Sequence, residues 1–260
     1  MTLSSWPCLK RLAMSKKIDI VRGQSNRITI GIPCFNSAPA NTLDDYMRFA
    51  YYLGRRYPEW DFFLATKDKF EQFRARNAIV TAALQVDSKY LLMLDDDHVI
   101  DWESENIMRF EAVSRYEFLR TLIGHMEADP KLGIVGALYY HRGGDCRPVI
   151  MKEGEDGCFY WIRDDEVVNG LQEVAVTGGG CMLMRCDALL KMQEPIFEPE
   201  FQYGTDVQVC KKMLEIGYKV ACDTSIELGH VKSTREVITS KNRIRAWADY
   251  KERGGAGSGR

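Results

Sequence analysis

Lys89-Tyr90-Leu91-Leu92-Met93-Leu94-Asp95-Asp96-Asp97-His98 is the stretch on which the reading of this chain turns. An apolar run of strand length stops at three adjacent carboxylates, so a buried strand would deliver them together to one end of a sheet. Neighbouring carboxylates repel one another away from bulk water, and a cation at the strand end offsets that repulsion. Side chains alternate along extended backbone, which lets Asp95 and Asp97 face one way and Asp96 another. Two carboxylates on one side, with positions left for water and phosphate oxygens, suit Mg2+ or Mn2+ beside a nucleotide. A solvated acidic turn after a strand would show the same run, so the flanking sequence has to decide.

Upstream, Arg27 to Pro33 is rich in β-branched residues and enters the turn Pro33-Cys34-Phe35-Asn36-Ser37, which predicts a first strand. An amphipathic helix should follow. Leu43, Tyr46, Met47, Ala50 and Leu53 fall at helical spacing, Asn41 or Thr42 can cap its start, and Arg55-Arg56 suit its carboxyl end. A second strand over 60–66 and a second helix over 70–86 lead back to the acidic strand. Strands alternating with helices predict an α/β domain whose parallel sheet is covered on both faces, with ligands gathering beyond the carboxyl ends of the strands. Downstream, residues 103–128 read as helix and 132–140 as strand. Short alternating pieces between 141 and 172, such as Pro148 to Lys152 and Cys158 to Ile162, predict hairpins in a small β excursion on the acceptor side. Strands at 173–177 and 181–185 and helices at 187–193 and 205–216 complete the pattern.

A chain of 260 residues, 45% hydrophobic, can build one large domain without staples. Its 35 Lys and Arg against 37 Asp and Glu leave a formal charge of −2, so no global field draws it to nucleic acid. The eight cysteines include no Cys-x-x-Cys pair, and several lie inside apolar runs. They read as reduced core residues of a cytoplasmic protein rather than zinc ligands or a disulfide framework. No stretch approaches the roughly 18 apolar residues of a membrane span, so a soluble protein is expected. Residues 1–26 read as a flexible leader, 27–230 as the main domain, 231–253 as a lid with a C-terminal helix, and 254–260 as a disordered Gly-rich tail. The domain over 27–230 divides into two halves, 27–100 and 101–230.

Five motifs in order carry a resemblance. They are Ile32-Pro33-Cys34-Phe35-Asn36, Leu94-Asp95-Asp96-Asp97-His98, Thr177-Gly178-Gly179-Gly180 with the strand to Arg185, Gly204-Thr205-Asp206, and Leu228-Gly229-His230. Together they resemble the nucleotide-sugar glycosyltransferases of the GT-A fold, close to the large inverting family 2 that includes cellulose and hyaluronan synthases. The likeness runs from about Ile28 to His230. It implies a metal-dependent hexosyltransferase that moves a sugar from a nucleoside diphosphate, a UDP-sugar first, to an acceptor hydroxyl with inversion. The acceptor could be a glycan, a lipid-linked sugar, a protein, a small metabolite or a modified nucleobase.

The resemblance also implies roles. Asp95 and Asp97 of the Asp-x-Asp motif and the late His230 would hold Mn2+ or Mg2+, with Asp97 as the more direct ligand and Asp95 or Asp96 reaching sugar or ribose. A nitrogen ligand biases such a site toward Mn2+. Asp206 would be the general base that takes the acceptor proton. Thr205 stands where the family usually has Glu, which bears on the acceptor and on inversion itself. Pro33, Asn36, Thr66 and the Gly179 turn would border the nucleotide sugar, with Arg76 of Ala75-Arg76-Asn77 making a bidentate phosphate or base contact. Lys232 and Arg235 in the polar stretch after His230 would reach the diphosphate as a closing lid. An amphipathic tail helix through Ile244 and Trp247 is the alternative for that region, and leaves a homodimer open.

Two other functions fit part of the pattern. Asp95-x-Asp97-x-Val99 matches the signature of haloacid-dehalogenase-like phosphatases, whose first Asp is a nucleophile, although those enzymes place it on the first strand. A non-catalytic sugar-nucleotide-binding protein is the other, suggested by Thr205 and the excursion.

Overall fold

The structure, a computed structural model, describes residues 26–34, 38–68, 71–102, 114–198, 204–233 and 236–252. The first half alternates as its periodicities predict: β1 (Arg27–Cys34), α1 (Ala40–Arg56), β2 (Asp61–Asp68), α2 (Gln72–Gln85) and β3 (Tyr90–Leu94). β4 (His98–Val99) follows, then a 3-10 turn (Ser114–Glu117), α3 (Phe118–Ala128) and β5 (Leu132–Leu138). The excursion holds β6 (Ile150–Glu153), β7 (Phe159–Trp161), β8 (Leu171–Glu173) and β9 (Val176–Thr177). The chain then forms β10 (Cys181–Arg185), α4 (Cys186–Leu189), α5 (Thr205–Glu215), β11 (Lys219–Glu227), β12 (Gly229–Ser233), β13 (Glu236–Ile238) and α6 (Arg243–Glu252).

A seven-stranded sheet in the order β2-β1-β3-β10-β5-β11-β8 forms the centre. All five residues of β3 are buried because the strand lies inside the sheet with a core on each face. Leu91 and Met93 pack with Ile79 and Val80 of α2, while Tyr90, Leu92 and Leu94 pack with Phe49 of α1 and Leu119 of α3. That two-sided burial is why β3 reads as an unbroken apolar run. The sheet is not wholly parallel. β10 enters antiparallel between β3 and β5, and β8 closes the far edge antiparallel to β11.

Three further expectations change. α1 buries Asp45, Phe49, Tyr52 and Leu53, leaving Leu43 and Met47 of the expected stripe exposed. The helix is rotated because the Asp45 carboxylate accepts the Ile100 N–H at 2.6 Å, the Asp101 N–H at 3.3 Å and the Tyr116 hydroxyl at 2.7 Å. These bonds tie α1 to the residues just after β4 and to the 3-10 turn. No side chain caps α1, whose N-cap is Pro39. α4 is one turn, shorter than the helix expected over 187–193. The stretch after His230 is a hairpin, in which β12 pairs with both β13 and β4 and buries Val231 and Ile238. Of the helix expected over 103–128, residues 103–113 lie outside the described residues.

The seven described cysteines are all free, and five of them are buried. No helix among the described residues is long and apolar enough to cross a membrane.

Candidate metal centre and donor cleft

β3 ends where the fold brings three distant pieces of chain together. β4 pairs with β12 so that His98 and His230 are register partners. Their rings stack at 4.4 Å with 17° between planes, and Tyr139 meets the His98 ring edge-on at 4.4 Å. Asp97 faces both histidines. Its Oδ1 lies 3.0 Å from His98 Nδ1 and its Oδ2 lies 3.5 Å from His230 Nε2. The Val231 N–H donates to the Asp97 carbonyl at 2.8 Å, which fixes this geometry from the backbone.

The protonation of the cluster follows from its partners. His230 Nδ1 is 2.9 Å from the Tyr140 carbonyl, which can only accept, so Nδ1 carries the proton and Nε2 presents a bare lone pair to Asp97. Burial, reinforced by neighbouring His98, lowers the His230 pKa from its ordinary value and favours this neutral ring. Burial opposes ionisation of Asp97, yet its carboxyl lies well below the usual range, with the Arg142 guanidinium 2.7 Å from Oδ2 as its positive partner. Two electron-pair donors therefore face each other at 3.5 Å beside the Arg142 guanidinium, an arrangement that a divalent ion would fit in its place. Both ring nitrogens of His98 are buried without a hydrogen-bond partner, since its approach to Asp97 is close but off the bonding direction. Ligand atoms of Asp97, His98 and His230 lie within 4.8 Å of one another. The donor set fits a divalent transition ion, and its two imidazoles suit Mn2+ better than Mg2+.

Asp95 is engaged elsewhere. Arg76, only 2% exposed, donates to both of its carboxylate oxygens at 2.8 Å and to Thr205 Oγ1 at 2.6 Å. The structure therefore closes Asp95 with Arg76 instead of bringing it into the three-residue cluster. It likewise turns Arg76 toward protein partners, stacked over Phe197 at 5.6 Å, and away from an open phosphate site. The same contact gives Thr205 a task, because its hydroxyl accepts from Arg76 at the first turn of α5. Asp206, the next residue, accepts the Gly179 N–H at 3.0 Å.

The Gly-rich turn wraps these buried side chains. A Cβ on Gly179 would stand 2.5 Å from Arg76 Nη2, and one on Gly180 would stand 2.4 Å from His98 Nε2. Gly179→Ala is expected to lower stability by about 1–3 kcal/mol, because the guanidinium that must yield is pinned by Asp95 and Thr205. Chemical denaturation measures this, and an unchanged midpoint would mean that Arg76 moves freely.

The remaining candidates are dispersed. Pro33, Asp95, Asp96 and Asp97 line a cleft of about 290 Å3 with Cys34, Gln72, Ala75 and Arg142. Thr66 is on the exposed edge strand β2, in register with Ile32, and is not part of that lining. Lys232 pairs with Glu236 at 3.4 Å. Asn36 and Arg235 lie outside the described residues. Sequence reasoning gave no role to His98, Tyr139 or Arg142. His98 did carry a signal, as a histidine directly following the acidic run.

No protein-family model and no curated protein matches the sequence. Among solved structures, A197 from STIV superposes with a TM-score of 0.55 at 18% identity, covering 83% of this chain and 91% of that one. GalNAc-T7 with UDP, GalNAc and Mn2+ gives a TM-score of 0.44 at 12% identity, over 86% of this chain and 49% of that one. The mannosyltransferase PcManGT from Pyrobaculum calidifontis, in complex with GDP-Man and Mn2+, gives 0.44 at 12% identity, over 83% and 61%. Likeness at these levels concerns the fold. The chain has a mixed α/β architecture with a mostly parallel central sheet flanked by helices.

Proposed function

We propose that this chain is a metal-dependent glycosyltransferase that moves a sugar from a nucleoside diphosphate, a UDP-sugar in the first instance, to an acceptor hydroxyl with inversion. The observation that carries the reading is the pairing of an ionised Asp97 with a bare His230 Nε2 at the carboxyl end of β3. That end of a mostly parallel sheet is where ligands collect in α/β folds. Asp97, His98 and His230 would hold the ion. A bound divalent ion would stabilise the charge that develops on the departing diphosphate.

The chain's own residues supply the rest. Arg76 connects Asp95 to Thr205, and so brings the first turn of α5, with Asp206, to the end of the sheet that carries the cleft. Asp206 is assigned as the base that accepts the acceptor hydroxyl proton, oriented by the Gly179 N–H. The cleft borders of Pro33 and Asp96 are assigned to the nucleotide sugar. The phosphatase reading fares worse, because both oxygens of Asp95 are committed to Arg76 and a carboxylate so held is a poor nucleophile.

A thermal-shift panel of UDP, GDP, CDP, ADP and TDP, each with and without Mn2+, tests the proposal. One nucleotide should raise the melting temperature by several degrees, and only with metal. Phosphate release from a phosphomonoester without any nucleotide sugar would favour the phosphatase instead. A flat panel would remove donor binding, and the proposal with it.

A further inference from the structure

We propose that Arg142 is an exchangeable counter-cation: it neutralises Asp97 until a divalent ion engages the Asp97–His230 pair, and once released it binds the diphosphate of the donor. The inference rests on the metal-dependent reading above and concerns a residue to which that reading gives no part.

Arg142 Nη1 lies 2.7 Å from Asp97 Oδ2, the same oxygen that faces His230 Nε2. An ion held between that oxygen and His230 would put two positive charges on one carboxylate oxygen, and their repulsion favours departure of the guanidinium. Arg142 can depart. Its side chain is 48% exposed, against 2% for Arg76, and its second contact is a 3.2 Å hydrogen bond to the Val231 carbonyl. It is the first residue inside the loop between β5 and β6, whose base is closed by the Tyr140–Pro148 bridge and by the His141 N–H donating to the Arg147 carbonyl at 3.0 Å. The side chain can therefore swing while the loop stays anchored.

Its destination follows from charge. Arg142 is the only cationic residue among the described residues that line the cleft, which otherwise presents Asp95, Asp96 and Asp97. A diphosphate entering that cleft meets carboxylates unless both the ion and a released guanidinium offset them. Arg is suited to the second task because its fork matches phosphate oxygens. Metal loading would thus turn Arg142 from a partner of Asp97 into a partner of the phosphates, which favours binding of metal before nucleotide.

The exchange predicts effects of opposite sign. Arg142→Gln, in the full chain, should bind Mn2+ about two- to fivefold more tightly, as expected for removing an exposed competing ion pair. At saturating Mn2+ it should bind inorganic pyrophosphate about tenfold or more weakly, as expected for losing a charge-assisted contact. Arg142→Lys should return both values toward those of the native chain. Calorimetry with Mn2+ alone and then with pyrophosphate reads both steps. If Arg142→Gln binds Mn2+ no more tightly, or binds pyrophosphate equally well, while Asp97→Ala loses Mn2+, the exchange is overturned and the metal reading stands. If the native chain, or Asp97→Ala, shows that Mn2+ affinity does not depend on Asp97, the metal reading fails and the exchange with it.

Discussion

Asp97→Ala is expected to abolish Mn2+ binding and with it every metal-dependent nucleotide shift, while leaving the fold intact. Asp97 contributes the only carboxylate of the described three-residue cluster, and both histidines orient around it. Losing a partner outside the ligand shell already costs roughly 10–100-fold in metal affinity, so loss of a direct ligand should exceed that range. The fold should tolerate the change. The structural bond at this position is the Val231 N–H to the Asp97 carbonyl, which alanine retains. The informative control is Asp95→Ala. Because both Asp95 oxygens belong to Arg76, that variant should lose stability but keep measurable Mn2+ affinity. Electron paramagnetic resonance of free Mn2+ separates the two variants. Equal losses would mean that Asp95 leaves Arg76 to join the ion, and retained affinity in Asp97→Ala would move the metal elsewhere.

The contrast between these neighbours shows what the sequence could and could not disclose. The strand before the acidic run was legible because a strand buried on both faces must be apolar throughout, and β3 is. The resemblance pointed to Asp95, Asp97 and His230 together, with Asp97 the more direct ligand, and the structure brings Asp97 and His230 to 3.5 Å. The partner that takes Asp95 away from the cluster was not legible, since alternation puts Asp95 and Asp97 on the same side of extended backbone. That partner is Arg76 on α2, which reaches Asp95 alone. His98 was hidden because its role depends on β4 meeting β12, a pairing that neither two-residue strand β4 nor its flanks announce. β11 escaped notice because its apolar stretch, Val220 to Cys222, is only three residues long. Its polar continuation satisfies Asp223 with His125 at 2.8 Å and with Ser225 at 2.6 Å. The antiparallel entry of β10 is likewise a matter of topology, since Cys181 to Arg185 would read the same in either direction.

Arg76→Met should produce the largest loss of stability of any single change at this site. A guanidinium that is 2% exposed holds a bidentate carboxylate, and removing it leaves Asp95, itself only 16% exposed, with an uncompensated charge. Breaking a buried pair from one side costs about 3–5 kcal/mol, or roughly 6–20 °C in melting temperature for a domain of this size. Methionine fills much of the same space, so the loss reports charge and hydrogen bonding more than packing. Thr205 loses its donor in the same step, and α5 its tie to the end of β3. Arg76→Met combined with Asp95→Asn supplies the decisive comparison, because the neutral amide no longer needs a counter-charge. If the pair is the source of the effect, the double variant should recover a good part of the single-variant loss, giving a coupling well above the few tenths of a kcal/mol expected of independent sites. Additive losses would instead assign the role of Arg76 to its contacts with Thr205 and Phe197, and would leave Asp95 free to turn toward the ion.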